Sequence, residues 1–385
     1  MLKLKAIFKS CTSCKPSKHT YRKLLTFRSA QSYRRCLKQL KELGVNPFKT
    51  VSSSRIIGCH FHKRTSLQAL SKNPHIKLIE KDFKIRAHNL LPNQPIARQR
   101  PSVPLLIGAN KTALVTGNIK CIKAPAAWTT TKGKSIKVAI IDTGIAGHPN
   151  LRIAGGSNTI NGRSFADDNG HGTHVAGIIS AIGIAGKITG TAPAVKLYAV
   201  KALNKNGEGF VSDIIEGINW CIKNRMHVIN MSFGILGSNS SNTLHNAIKR
   251  AAKQGIVIVA SAGNSGSASG QIDEPASFAE TIAVAASTRL NKIASFSSRG
   301  RGIGLSAPGE NILSTWLNGK YIKLSGTSMA APHVTGGAAL LLAGKPGLSA
   351  NAVKTRLRKR ALKLKNYSSL AQGAGLMQLD RIYKA

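Results

Sequence analysis

From about residue 113 onward, short apolar runs alternate with segments that carry a helical period. "IKVAIID" (136–142), "VKLYAVKAL" (195–203), "HVINMSF" (227–233), "GIVIVASAG" (255–263) and "TIAVAAS" (281–287) are apolar nearly throughout. A strand reads this way when both of its faces are covered. Between the runs, "GTHVAGIISAI" (172–182), "VSDIIEGINWCIKN" (211–224) and "TLHNAIKRAAKQG" (243–255) space their apolar residues as helices do. The alternation predicts an α/β fold, a doubly wound and mostly parallel sheet with helices on both faces. Sites in such sheets form at the carboxyl ends of the strands.

The first part of the chain has a different texture. "TYRKLLTF" (20–27) alternates as a strand, and Tyr33, Leu37, Leu40 and Leu43 share one helical face closed by Gly44. "PFKTV", "SRIIGCHF", a short helix in "TSLQALSKN" and the strand "IKLIEKD" follow, which predicts a small ferredoxin-like α+β unit. Residues 91–115 hold four prolines and no period, so they read as a linker. The expected organisation is a basic tail at 1–19, the small unit at 20–90, the linker at 91–115 and the large domain at 116–385. No internal repeat is present.

Charge changes the picture. The formal net charge of the 385 residues is +42, with 21 Lys and Arg against 3 acids in residues 1–90 alone. Such a field attracts nucleic acid, anionic wall polymers or acidic lipid surfaces, and a plain solvated basic surface is the other reading. The densest cluster, "KTRLRKRALKLK" (354–365), predicts a helix with Leu357, Ala361 and Leu364 inward and its charges on the outer face. No apolar run approaches the ~20 residues of a membrane span. The amino terminus lacks an apolar h-region, which argues against Sec export. Six cysteines show no disulfide spacing. Cys11 and Cys14 form a lone CxxC, "CHFH" (59–62) reads as strand, and Cys121 and Cys221 read as free thiols.

Three residues stand at element ends on the expected face. Asp142 closes the run "VAIID", where an Asp either caps the next turn or acts as an acid. His171 opens a helix in "NGHGTHVAG", where it is structural or a base. Ser328 lies in "GTSMAAPHVTGG" at the start of an apolar helix, where it is an N-cap or a nucleophile aided by the helix dipole. Together they supply acid, base and nucleophile in the order Asp, His, Ser.

"IIDTGI", "NGHGTHVAG" and "GTSMAAPHV" resemble the three active-site blocks of the subtilisin-like serine proteases, in the same chain order. The likeness spans nearly all of 116–385 and implies a serine endopeptidase acting on proteins and peptides. Ser328 would attack, His171 would move the proton, and Asp142 would hold the imidazole. Asn264, in "IVIVASAGNSG", matches the family's oxyanion-hole amide, with the Ser328 backbone N–H as second donor. Ser232, Phe233 and Gly234 in "NMSFG" resemble one edge of the substrate groove. Gly207, Glu208 and Gly209 in "NGEGF" resemble the other, the glycines permitting close approach. His174 and His333 read as structural.

The resemblance further implies that residues 20–90 are a propeptide, an inhibitor and folding aid. The chain would then be a self-processing zymogen cut near Leu90 in "AHNL". It implies a monomer with no required cofactor. Asn150 and Ile184 stand where relatives place calcium ligands, which weakens the case for structural calcium. Asp273, counted back from Pro275 in "DEPASF", falls at the floor of the S1 pocket and would favour a basic P1 residue beside an apolar one. An extracellular, spore or cell-surface location follows from the likeness, and a cytoplasmic one from the missing leader. The alternative function is a basic protein targeted to nucleic acid or anionic wall polymers, with proteolysis secondary.

Overall fold

The structure is a computed structural model, and it describes residues 12–13, 16–88, 112–235, 239–268 and 270–384. Leu90, Cys11, Cys14 and residues 91–111 of the linker lie outside the described residues.

The small unit runs β1 (Thr12–Ser13), β2 (Thr20–Phe27), α1 (Ala30–Glu42), β3 (Lys49–Val51), β4 (Ile56–His62), α2 (Gln68–Ser71) and β5 (Ile76–Lys81). Its strands are antiparallel in the order β5–β2–β4, and β3 and β1 share the outer edge of β4. Thr12–Ser13, read from sequence as part of a tail, therefore extends the sheet. Ser29 caps α1 by accepting the Ser32 N–H, and Tyr33, Cys36 and Leu40 pack on Leu25, Phe27, Ile57 and Phe61. The next strand, β6 (Lys84–Ala87), leaves this sheet altogether.

The large unit begins with two short helices, α3 (Gly117–Cys121) and α4 (Ala124–Trp128). There follow β7 (Lys137–Asp142), β8 (Ile153–Asn158), α5 (His171–Ser180), β9 (Lys196–Lys201), β10 (Glu208–Phe210) and α6 (Val211–Lys223). Then come β11 (Val228–Met231), β12 (Phe233–Ile235), α7 (Asn242–Lys253), β13 (Val257–Ser261), β14 (Thr281–Ser287) and β15 (Ile303–Pro308). The hairpin of β16 (Ile312–Thr315) and β17 (Tyr321–Leu324) leads into α8 (Thr327–Gly344), α9 (Ala350–Lys359) and α10 (Ser369–Gln372).

Seven strands form one parallel sheet in the order β15–β14–β13–β11–β7–β9–β8. Along β7, Val138 and Ile140 face the layer containing α5 and α8, while Ala139 and Ile141 face α6 and α7. Both faces are thus covered, which is the doubly wound α/β arrangement expected from the sequence. The five apolar runs are all strands. β8 and β15 escaped the pattern because they are not uniformly apolar: β8 is "IAGGSN", in which a Cβ on Gly156 would sit 2.3 Å from the Ala199 carbonyl oxygen.

The basic segment at 354–365 is only partly helical. α9 ends at Lys359, and Leu362 pairs instead with Leu376 in an isolated bridge. The Gln372 side chain holds both backbone groups of Leu364, drawing that segment out of the helix. Nor are all its charges on an outer face. Lys354 donates to the carbonyls of Ala279 and Thr281, and Arg356 to that of Ile382. Among the described residues, no helix is long and apolar enough to cross a membrane.

Candidate active site

Asp142, His171 and Ser328 come from the carboxyl end of β7 and the amino ends of α5 and α8. A second carboxylate sets the start of α5. Asp167 accepts from the N–H groups of Asn169 and Gly170 with one oxygen and from the N–H and hydroxyl of Thr173 with the other. His171 Nδ1 lies 2.7 Å from Asp142 Oδ1, which also accepts the Thr143 N–H. A carboxylate only accepts, so the ring proton sits on Nδ1 and Nε2 is bare. Burial alone would push the His171 imidazole down, yet the charge and hydrogen bond of Asp142, with Asp167 beyond, carry it above the ordinary value.

Ser328 is the second residue of α8, after Gly326 at φ 155°. It is not the N-cap. Pro332, four residues on, has no N–H to give the Ser328 carbonyl, and the Ser232 hydroxyl donates there instead at 3.2 Å. The Ser328 hydroxyl faces two carbonyls, that of Ser232 at 3.0 Å and that of His88 at 3.2 Å. His171 Nε2 is buried and has no hydrogen-bond partner among the described residues, so the hydroxyl is turned away from it here. Such bonds often form only as the reacting group settles.

Asn264 points the same way. Its Oδ1 accepts the N–H and hydroxyl of Thr327, both at 2.9 Å, which fixes the amide's orientation. Its NH₂ group is thereby aimed outward, 3.1 Å from the His88 carbonyl oxygen. The helix start thus orients a donor toward the spot that the Ser328 hydroxyl also faces.

The group at that spot belongs to the chain itself. β6 lies antiparallel between β10 and β12, with Arg86 opposite both Glu208 and Gly234, Ile85 opposite Gly209, and Ala87 opposite Phe233. The Ala87 N–H donates to the Gly207 carbonyl and the His88 N–H to the Ser232 carbonyl. Gly207 and Ser232 therefore act through their backbones, and Phe233 is core. Gly209 serves a different purpose from the one its type suggested. A Cβ there would strike the Ala202 carbonyl oxygen at 2.2 Å, so its smallness lets the loop fold on itself rather than admitting the strand. Gly234 does make room, since a Cβ would fall 2.3 Å from His88 Nε2. Glu208 pairs with Arg86, whose hydrogen bond holds its carboxyl below the usual range.

Asp273 and Glu274 diverge. Asp273 turns toward the groove, its Oδ2 2.8 Å from His88 Nε2. Glu274 turns away to accept the Ser240 hydroxyl and the Ser241 N–H. Asn150 is fully buried, accepting the Gly183 N–H and donating to the Ile188 carbonyl, while Ile184 is 39% exposed. His174 and His333 are buried away from this chemistry. Burial pushes them down to about 3 and about 4, with their rings bonded to the Ile322 and Met329 carbonyls respectively. Ser261, Thr327 and Asp167 were not anticipated from sequence. Ser261 and Thr327 take partners from distant segments, which nothing local marks, whereas Asp167 bonds only its neighbours Asn169, Gly170 and Thr173.

The model of the subtilase family (Peptidase S8) matches residues 133–375. Subtilisin DY of Bacillus licheniformis is 46% identical over 65% of this chain and 91% of its own length. Subtilisin Savinase of Lederbergia lenta is 42% identical over 69% of this chain and 97% of its own. The minor extracellular protease Epr of Bacillus subtilis is 42% identical over 70% of this chain and 41% of its own. A family match over most of the chain, joined to a parallel sheet that carries these residues at its strand and helix ends, leaves one reading: the chain belongs to the subtilase family and is a subtilisin-like serine endopeptidase.

Proposed function

We propose that Asp142, His171, Ser328 and Asn264 form one catalytic centre, and that residues 20–88 are an inhibitory propeptide lodged in the enzyme's own substrate groove. The observation that carries this is the His88 carbonyl, held by the Asn264 amide while the Ser328 hydroxyl faces it. In a substrate, that carbonyl carbon is the atom attacked. Ser328 Oγ bonds to it as His171 Nε2 takes the hydroxyl proton, and the oxyanion forms against the Asn264 amide. His171 then gives the proton to the leaving amine, and Asp142 stabilises the imidazolium throughout. Water, activated by the same base, releases the acyl group.

The unit at 20–88 docks through groups suited to inhibition. Asp82 accepts the N–H and hydroxyl of Ser212 in the first turn of α6. Glu80 accepts from Ser241 and Thr243 at the start of α7. Both carboxylates meet the positive end of a helix. Parallel sheets fold slowly, and a partner gripping two of their helices would lower that barrier. The reading requires no metal; at the position where the sequence weakens the case for calcium, the Asn150 amide accepts the Gly183 N–H and donates to the Ile188 carbonyl. The likeness to a protease named as extracellular supports action outside the cell. Casein hydrolysis by the purified chain, absent in Ser328→Ala, tests the reading; unchanged hydrolysis in that variant overturns it.

A further inference from the structure

We propose that the recess beneath β6 is built to take an imidazole, so that this protease cuts itself after His88 and prefers histidine at P1, the residue whose carbonyl is attacked. This deepens the catalytic reading above and rests on it.

Backbone register identifies the P1 residue. The His88 carbonyl is the one at Asn264 and Ser328, and the His88 N–H bonds the Ser232 carbonyl. The expected cut near Leu90 therefore moves two residues toward the amino terminus, to the His88–Asn89 bond. In that step Ser328 Oγ bonds to the His88 carbonyl carbon and the C–N bond to Asn89 breaks. The hydroxyl proton passes by way of His171 Nε2 to the departing amine. Water then cleaves the ester, restoring the Ser328 hydroxyl and leaving a carboxylate on His88.

The side chain of His88 is 9% exposed and meets a polar group at each nitrogen. Nδ1 is 2.6 Å from the Ser261 hydroxyl. Nε2 is 2.8 Å from Asp273 Oδ2, off the line of a hydrogen bond. Two glycines create the space. A Cβ at Gly234 would fall 2.3 Å from the imidazole, and one at Gly263, where φ is 112°, would fall 2.5 Å from the Asp273 carboxylate. The walls are thus cut to the ring and to the acid that faces it.

An apolar P1 side chain would leave both groups facing hydrocarbon. Sites that bond a polar substrate group can reject its apolar analogue by roughly 10⁴–10⁵; Asp273 keeps a third of its surface in water, so about 10² is expected here. Lysine and arginine satisfy the carboxylate but not Ser261, which places them between histidine and phenylalanine. The other subsites are of the kind already seen in β6. Ile85 is fully buried, and Arg86 pairs with Glu208.

The test has two parts. Intact-mass analysis of the full chain should show an amino-terminal fragment ending at His88. The processed enzyme is then given Ile-Arg-Ala-X anilides, with X as His, Arg, Leu or Phe, beside Asp273→Asn and Ser261→Ala, each titrated with a fluorophosphonate. Wild type should favour His over Phe about 10²-fold in kcat/KM, a ratio falling at least tenfold in Asp273→Asn. A cut after Leu90, or a His-to-Phe ratio that Asp273→Asn leaves unmoved, overturns the proposal. The label separates the two readings. Failure of Ser328 to take it in wild type would refute the catalytic centre, whereas a labelled enzyme with no preference for histidine refutes only the imidazole site. Should Asp273→Asn fail to label, the ratio in Ser261→Ala decides in its place.

Discussion

Asp82→Ala should loosen the grip of the amino-terminal unit on the enzyme by about two orders of magnitude. The Asp82 side chain is fully buried and receives four donors, Nε and Nη2 of Arg22 and the N–H and hydroxyl of Ser212. Arg22 belongs to the same unit as Asp82 and stays with it on release, its guanidinium lying over Phe48 and, while docked, over Phe210. Only the two Ser212 bonds are specific to docking. Hydrogen bonds to a charged partner contribute about 1.5–3 kcal/mol each, so the pair is worth about 3 kcal/mol at the low end. At 1.4 kcal/mol per decade that is about 10²-fold in Kd.

The assay follows activity after self-cleavage across a dilution series, since a bound inhibitor escapes as concentration falls. Ser212→Ala keeps the N–H bond and should weaken binding only about tenfold. The double variant should match Asp82→Ala within a factor of about three, because the hydroxyl has lost its partner already. Additive effects, or less than a threefold change in Asp82→Ala, would refute the assignment of docking strength to this carboxylate.

Four further outcomes follow. Asn264→Ala should lower kcat by about 10²–10³ with KM little changed, the range found when the equivalent amide is removed from subtilisin rather than one worked from this structure; peptide kinetics at constant Tm check it. Because Asp142 raises the His171 imidazole above the ordinary 6.5, kcat/KM should rise with pH through a value above it, and Asp142→Asn should move that limb lower. The same coupling favours folding fully below the ordinary value and is lost as pH rises through the folded one, which thermal melts of Ser328→Ala across that window would reveal. EDTA should shift Tm little, since Asn150 closes its loop by hydrogen bonds to Gly183 and Ile188; a drop of tens of degrees restored by calcium would show that an ion binds there.

What was legible in the sequence was whatever depends on neighbours along the chain. Apolar runs such as 136–142 specify buried strands because burial on both faces leaves no polar alternation, and a helix opening on Ser328 follows from its small apolar successors. The invisible part was relational. Nothing local to "KIRAH" says that it will leave one sheet and become the middle strand of another. Ser261 ends β13 as any strand residue might, and it becomes an imidazole partner only because β6 arrives from 173 residues away. α9 illustrates the converse. Its period suggested a helix through Leu364, but the Gln372 amide, more distant than any helical neighbour, claims that backbone.

The extreme charge also takes on a structural meaning once the acids are placed. Only 14 acidic residues stand against 56 Lys and Arg, and at least 12 of the 14 hold a hydrogen-bond or ion-pair partner. The acids are concentrated at two tasks. Asp142 and Asp167 build the setting of His171, while Glu80, Asp82, Glu208, Asp213, Glu216 and Asp273 meet the boundary between the two units. At that boundary Lys49 reaches Asp213 and Glu216 at 2.7 and 2.8 Å. The +42 excess thus reflects an exterior poor in acids rather than a basic core. It also bears on which P1 side chains can enter. At physiological salt, charges are screened beyond about 8 Å, so a cationic side chain in the recess responds chiefly to Asp273 at contact distance and hardly to the distant surface. One carboxylate there can therefore set P1 preference against the sign of the whole molecule.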